Sequence, residues 1–171
     1  MNFKQSEAHE ILERTPAVLT HLLSGLSHEW LSSNESGNSW NSLEVVAHLI
    51  ECEKHNWIPR ISSILSNNDN EPLPPFDRFS HLEKEAGIDE LLREFNQSRQ
   101  QSLYQLNAFK VNPFDLNRTG FHPEFGSVTL EQLLSTWAVH DLTHINQISR
   151  VLAKRYDMDV GPWKTYLSIL K

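Results

Sequence analysis

Apolar residues return at three- and four-residue intervals in four long stretches of this chain, and nowhere do they alternate for long enough to make a strand. That period turns one face of each stretch toward a core and the other toward solvent, so the chain is constrained to helices packed on helices. The first stretch carries Ile11, Leu12, Val18, Leu19, Leu22, Leu23 and Leu26, with Ser6 as its expected cap. Thr15-Pro16 interrupts it, because a proline in a helix interior removes a hydrogen bond and crowds the preceding turn. The segment therefore reads either as one kinked helix or as a turn ending near Arg14 followed by a helix that Thr15 caps. The second stretch runs from 41 to about 65, with Leu43, Val46, Ala47, Ile50, Trp57, Ile61 and Ile64 inward, and Pro59 is expected to bend it or tighten one turn. The third, about 88–107, places Leu91, Leu92, Phe95, Leu103 and Leu106 on one side and Arg93, Glu94, Arg99 and Gln100 elsewhere. The fourth, from 129 to about 156, buries Leu130, Leu133, Leu134, Trp137, Ile145, Ile148 and Leu152. Asn41 with Glu44, and Thr129 with Gln132, have the spacing of reciprocal capping boxes and mark two helix starts.

Two long connections separate these stretches. Residues 66–86 are rich in Asn, Asp and Pro, and residues 111–128 hold Pro113, Gly120, His122, Pro123 and Gly126 with Phe114, Phe121 and Phe125. An all-α four-helix bundle with long crossover connections and almost no strand is the expected fold, ending in a short aromatic turn at 163–170 that packs over the bundle. At 171 residues one domain, 1–171, has enough chain to build a single core.

Charge and cysteine content narrow the function classes. Lysine plus arginine number 15 against 22 acidic residues, a formal charge of −7 with no basic run, which argues against nucleic acid as a partner. No apolar run approaches the roughly 20 residues of a membrane span. Cys52 is the only cysteine and the first residues lack the apolar stretch of a signal peptide, so a reducing, cytoplasmic setting is expected.

The chemistry is concentrated in histidines. His140 and His144 stand one turn apart on the fourth helix, so both imidazoles share a face and can chelate a metal. His48, on the second helix, is a third nitrogen donor, provided that the two helices are neighbours. Three imidazoles would leave coordination positions for water or substrate, the arrangement of a catalytic rather than a structural site. The plainer alternatives are a chance pair among nine histidines and a neutral, hydrogen-bonded core His48. Glu51 shares the His48 face as an acceptor or general base, or else is an exposed helix carboxylate, and Cys52 reads as a small buried apolar residue rather than a ligand. Gln147 stands within reach of a bound group or of a ligand's outer nitrogen, and Asp141 of an imidazole to orient. His122, in the loop before the last helix, is a candidate substrate contact or proton shuttle. Trp40 and Trp137 read as packing groups, and His9, His21, His28 and His81, with no converging partner, as solvated.

The run 40–49, Trp-Asn-Ser-Leu-Glu-Val-Val-Ala-His-Leu, followed far downstream by 140–148, His-Asp-Leu-Thr-His-Ile-Asn-Gln-Ile, resembles the DinB-like superfamily of damage-inducible proteins and thiol-dependent metalloenzymes. Residues 120–126 and 161–163 carry the same resemblance, which spans nearly the whole chain. It implies a four-helix bundle and a divalent metal on His48, His140 and His144, with zinc or nickel ahead of iron or manganese. It also implies a transferase or hydrolase that activates water or a low-molecular-weight thiol such as bacillithiol or mycothiol against a small electrophilic substrate. Homodimers, through apolar outer faces of the first or third helix, are within the same implication. The rival is a non-catalytic, stress-associated bundle with a structural metal or none, whose surface recruits a partner.

Overall fold

The computed structural model describes residues 2–66, 71–83 and 86–171, so residues 67–70 and 84–85 of the first long connection lie outside the described residues. Helix α1 spans Gln5–Leu23 and a short α2 spans His28–Leu31. Helix α3, Ser42–Cys52, continues through a π-helical turn at Glu53–Trp57 into α4, Ile58–Leu65. Helices α5, Ile88–Ala108, and α6, Leu130–Lys154, complete the bundle. The principal helix contacts join α1 to α5 and α6, and α3 to the same two. The helices therefore form a ring in which α1 lies diagonal to α3 and α5 diagonal to α6, and the connections α1→α3 and α5→α6 both cross the bundle. This topology makes α3 and α6 neighbours, the condition for His48 to meet the pair on α6.

Both expected capping boxes form. Glu44 N–H donates to Asn41 Oδ1 at 3.0 Å while Asn41 N–H donates to Glu44 Oε2 at 2.8 Å; Gln132 N–H donates to Thr129 Oγ1 at 3.1 Å while Thr129 N–H donates to Gln132 Oε1 at 2.8 Å. Each box satisfies two of the amides that a helix start leaves without partners, and so sets the first residue of α3 and of α6. The expected cap at Ser6 is displaced: α1 begins at Gln5 after Lys4, with no side-chain cap bond.

Pro16 does not end α1. Its missing N–H leaves the Leu12 carbonyl without its helical donor, and Arg99 Nη1, reaching from α5, donates to that oxygen at 2.7 Å. The same guanidinium pairs with Asp141 on α6, at 2.6 Å from Nη1 to Oδ2 and 2.9 Å from Nη2 to Oδ1, and with Glu53 Oε1 at 2.8 Å. Trp137 Nε1–H donates to the same Glu53 oxygen at 3.0 Å. Arg99 is thus buried on the apolar face of α5, not off it as its charge suggested. It ties all four long helices together. Near Pro59 the helix widens into the π-turn instead of tightening, which accommodates the ring where an α-turn would crowd it.

Two apolar clusters fill the bundle, one around Val46, Ile50, Leu91, Phe95 and Ile148, the other around Trp57, Ile61, Leu106, Leu130 and Trp137. Each such side chain contributes roughly 1.5–3 kcal/mol on removal from water. Helix α3 is buried nearly all round, because the segment 71–83, including a 3₁₀ turn at Ser80–Glu83, packs over its outer side.

Strand is present after all. β1, Thr119–His122, pairs antiparallel with β2, Gly126–Thr129, in register Thr119↔Thr129 to His122↔Gly126. Four-residue strands are too short to register as alternation. Leu73 N–H donates to the Phe121 carbonyl at 2.8 Å, fastening the first crossover to the hairpin. Gly120 permits that approach, since a Cβ there would stand 2.6 Å from Leu73 Cδ2 and 2.9 Å from Ile64 Cγ1. The C-terminal segment forms 3₁₀ turns at Gly161–Tyr166 and Ser168–Leu170; the second touches α6, but Trp163 and Tyr166 remain exposed rather than packed over the bundle. No helix among the described residues is long and apolar enough to cross a membrane.

Candidate metal centre

His48 on α3 and His140 and His144 on α6 turn their Nε2 atoms toward one another. His48 Nε2 lies 3.4 Å from His140 Nε2, which lies 3.1 Å from His144 Nε2. Cys52, one turn after His48, brings Sγ to 3.4 Å from His48 Nε2 and 3.9 Å from His140 Nε2, and the donor atoms of His48, Cys52 and His140 all fall within 4.8 Å of one another. His140 stands at the centre of every one of these contacts except that between His48 and Cys52.

Burial sets the protonation state. It lowers the His48 imidazole to about 3 and His140 to about 2, with neighbouring imidazoles adding to the effect, and it lowers His144 as well. All three are therefore neutral near pH 7. Gln147 Oε1 accepts from His144 Nδ1–H at 2.8 Å, which assigns the proton to the outer nitrogen and the lone pair of Nε2 to the cluster. Gln147 thus acts on a histidine, not on the cleft itself. Ring nitrogens brought this close hold few N–H groups to satisfy each other, and His140 Nδ1 is also buried without a hydrogen bond among the described residues. The donor set fits a cation. Two nitrogens each about 2.0–2.1 Å from one ion at angles of roughly 100–115° stand about 3.1–3.5 Å apart, which matches the two contacts seen.

The cluster lies at the foot of a cleft of about 630 Å³ that Trp40, Trp57, Phe76, Arg60, Arg78 and the hairpin residues His122 and Phe125 help to line. Trp40 packs its ring 4.8 Å from His48 and 6.4 Å from His144, and Trp57 meets His140 edge-on at 5.2 Å, so aromatic walls keep water from the flanks of the imidazoles. Trp40 is a wall of the cleft as well as a packing group; Trp137, stacked on Trp57, is wholly interior. At the mouth, His122 Nδ1 accepts the amides of Glu124 at 3.2 Å and Phe125 at 3.3 Å, which ties that nitrogen into the hairpin turn and leaves Nε2–H as a donor. Arg60 Nε donates to the Pro74 carbonyl at 3.1 Å.

Several expectations change here. Glu51 faces His55 Nε2 at 3.5 Å and is not among the residues lining the cleft. Asp141 orients no imidazole, because Arg99 occupies both of its oxygens. His81 is not solvated: it is 1% exposed, and its ring lies 4.3 Å from Trp40 and 5.2 Å from His48. His21 and His28 are exposed and His9 half-buried. Nothing in the local pattern flags His81, since its neighbours come from α3 and from the segment before it. Cys52 is buried as expected, yet beside the imidazoles rather than in plain apolar packing.

Known proteins share this architecture. Over 155 residues, 85% of this chain and 84% of the relative, the sequence is 24% identical to a protein of Oceanobacillus iheyensis named "Putative metal-dependent hydrolase OB0782". The fold is similar to that of YfiT from Bacillus subtilis, described as a probable metal-dependent hydrolase with an unusual four-helix bundle topology, at TM-score 0.76 and 19% identity over 90% of this chain and 89% of that one. It is also similar to TT2238, a four-helix bundle protein, at TM-score 0.62 and 20% identity over 85% of this chain and 98% of the other. The model of the DinB superfamily matches residues 11–148, a span that contains all three converging histidines, and the chain belongs to that superfamily.

Proposed function

We propose that His48, His140 and His144 hold a divalent cation, zinc or nickel before iron or manganese, and that the chain is a metal-dependent hydrolase of a small electrophilic substrate. The observation that carries this reading is the convergence of three neutral imidazoles, by their Nε2 atoms, at the foot of a solvent-connected cleft. The names of the Oceanobacillus and Bacillus relatives support hydrolysis as the reaction class. When bound, the cation supplies Lewis acidity that brings water, or a low-molecular-weight thiol, to its nucleophilic form near neutral pH.

The residues of the chain do the remaining work. Gln147 keeps the His144 lone pair aimed inward, and Trp40 and Trp57 restrict access to the cleft side. His122 Nε2–H, at the mouth, is a hydrogen-bond donor to the polar group of a substrate as it enters. In this reading Glu51, whose carboxylate faces His55 away from the cleft lining, is not the general base. A cytoplasmic setting belongs to the same reading, as a thiol beside the imidazoles is suited to reducing conditions.

The test is metal analysis of protein purified without a histidine tag, followed by a panel of activated esters and amides with and without added thiol. About one equivalent of metal per chain, lost in His140→Ala together with metal-dependent hydrolysis, is the expected result. Unchanged metal content in His140→Ala overturns the site; full metal content with no turnover of any substrate, thiol present or absent, favours the structural rival.

A further inference from the structure

We infer that Cys52 Sγ is a further protein donor to the cation, in a close set with His48 and His140 that gives the centre a sulfur ligand. The inference rests on the reading of a metal at His48, His140 and His144 and adds a ligand to it. Cys52 is 1% exposed and follows His48 by one helical turn, so both side chains leave the same face of α3. Its sulfur approaches two imidazole nitrogens at once, at 3.4 and 3.9 Å. A nitrogen at about 2.0–2.1 Å and a thiolate at about 2.3 Å from one ion, at angles of roughly 100–125°, stand about 3.3–3.9 Å apart. Both sulfur contacts fall at or within those limits, as the two nitrogen contacts fall within theirs.

Ligation breaks the S–H bond: the proton leaves to solvent and the sulfur lone pair forms the bond to the ion, with no oxidant or reductant required. Sulfur is a soft donor, so this set favours zinc, cobalt and nickel and places manganese last. Water or substrate would reach the ion through the cleft between Trp40 and His122.

Cobalt(II) reports the difference directly. Metal-free protein titrated with cobalt is expected to develop a sulfur-to-cobalt charge-transfer band in the near ultraviolet, and X-ray absorption at the cobalt edge a sulfur shell at about 2.3 Å. Both are read on the wild-type chain, so they do not depend on a variant folding. Cys52→Ser is expected to retain one equivalent of cobalt and its visible bands, to lose the near-ultraviolet band, to release about one proton fewer per ion bound, and to bind cobalt at least about tenfold more weakly. Cobalt bound by the wild type with neither band nor sulfur shell overturns the role of Cys52 and leaves the three-histidine site standing. Failure of the wild type to bind cobalt at all overturns the metal centre itself.

Discussion

Two polar clusters are buried between the same helices, and they are built on opposite plans. In the Glu53–Arg99–Asp141 cluster the groups are charged and find their partners within the chain: one guanidinium answers two carboxylates, the carbonyl that Pro16 frees and, through Glu53, the Trp137 indole. Burial pushes the Glu53 carboxyl up while Arg99 pulls it down, and the pairing with two anions holds the guanidinium protonated. In the imidazole cluster the groups are neutral, turn their Nε2 atoms toward one another, and leave the His140 outer nitrogen without a hydrogen bond among the described residues. The first cluster meets its charge within the chain and holds the bundle, with Glu53 Oε2 and Arg99 Nε alone left without a hydrogen bond among its described atoms. The second is arranged for something that the chain does not itself supply.

That contrast breaks most visibly at Arg99. Arg99→Met leaves Asp141 and the Leu12 carbonyl without a donor and Glu53 with the Trp137 indole alone, and should cost about 3–5 kcal/mol in urea denaturation, as removal of one partner from a buried ion pair does. An Arg99→Met protein as stable as wild type would show the cluster to be dispensable. His140→Ala should do the reverse. It abolishes the stabilisation that saturating metal gives, about 2.7 kcal/mol at a hundredfold excess over the dissociation constant, while the metal-free variant stays within about 1–2 kcal/mol of metal-free wild type. Because His48, Cys52 and His140 form a close set without His144, His144→Ala should weaken metal binding less than His140→Ala, a ranking that calorimetric titration checks.

Acid sharpens the comparison next. The folded-state values of His48 and His140 lie below the unfolded value near 6.5, so below that pH the unfolded chain takes up protons that the native chain refuses. Metal-free protein should therefore lose stability as pH falls below about 6.5, by up to roughly 1.4 kcal/mol per pH unit for each imidazole kept neutral, until the folded values are reached. The loss should shrink in His48→Gln; an equal slope in wild type and variant would remove the imidazoles as its cause. The smallest effect on stability is expected at Gln147. Gln147→Leu frees His144 to take either tautomer and should weaken metal binding about 10- to 100-fold, with a denaturation midpoint close to wild type.

Much of the frame was legible because its signals are local. Helix starts at Asn41 and Thr129 rest on bonds between residues three apart, and the apolar stripes of α3 and α6 follow from periodicity alone. The hairpin was missed because its strands are four residues long and draw their stability from Leu73 and Gly120 packing, which are distant in sequence or visible only in three dimensions. Arg99 had a signal that its charge masked: it follows Phe95 by four residues and precedes Leu103 by four, so it lies on the apolar stripe. His81 had none, as its burial comes entirely from a crossover folding back onto Trp40 and His48.

Local sequence is enough to require that this chain makes helices, that two of them begin where they do, and that His140 and His144 share a face, since backbone geometry carries an i,i+4 pair to one side whatever the rest of the chain does. Whether His48 would meet them depended on the ring order of the helices, and only the tertiary structure decided it, by setting α3 beside α6 and α1 and α5 across the diagonals. The same packing brought Cys52 against His140 and gave Asp141 to Arg99. Contacts of this kind join residues 42 to 92 positions apart, and their free energy comes from desolvation and close approach, which exist only once the chain has closed on itself.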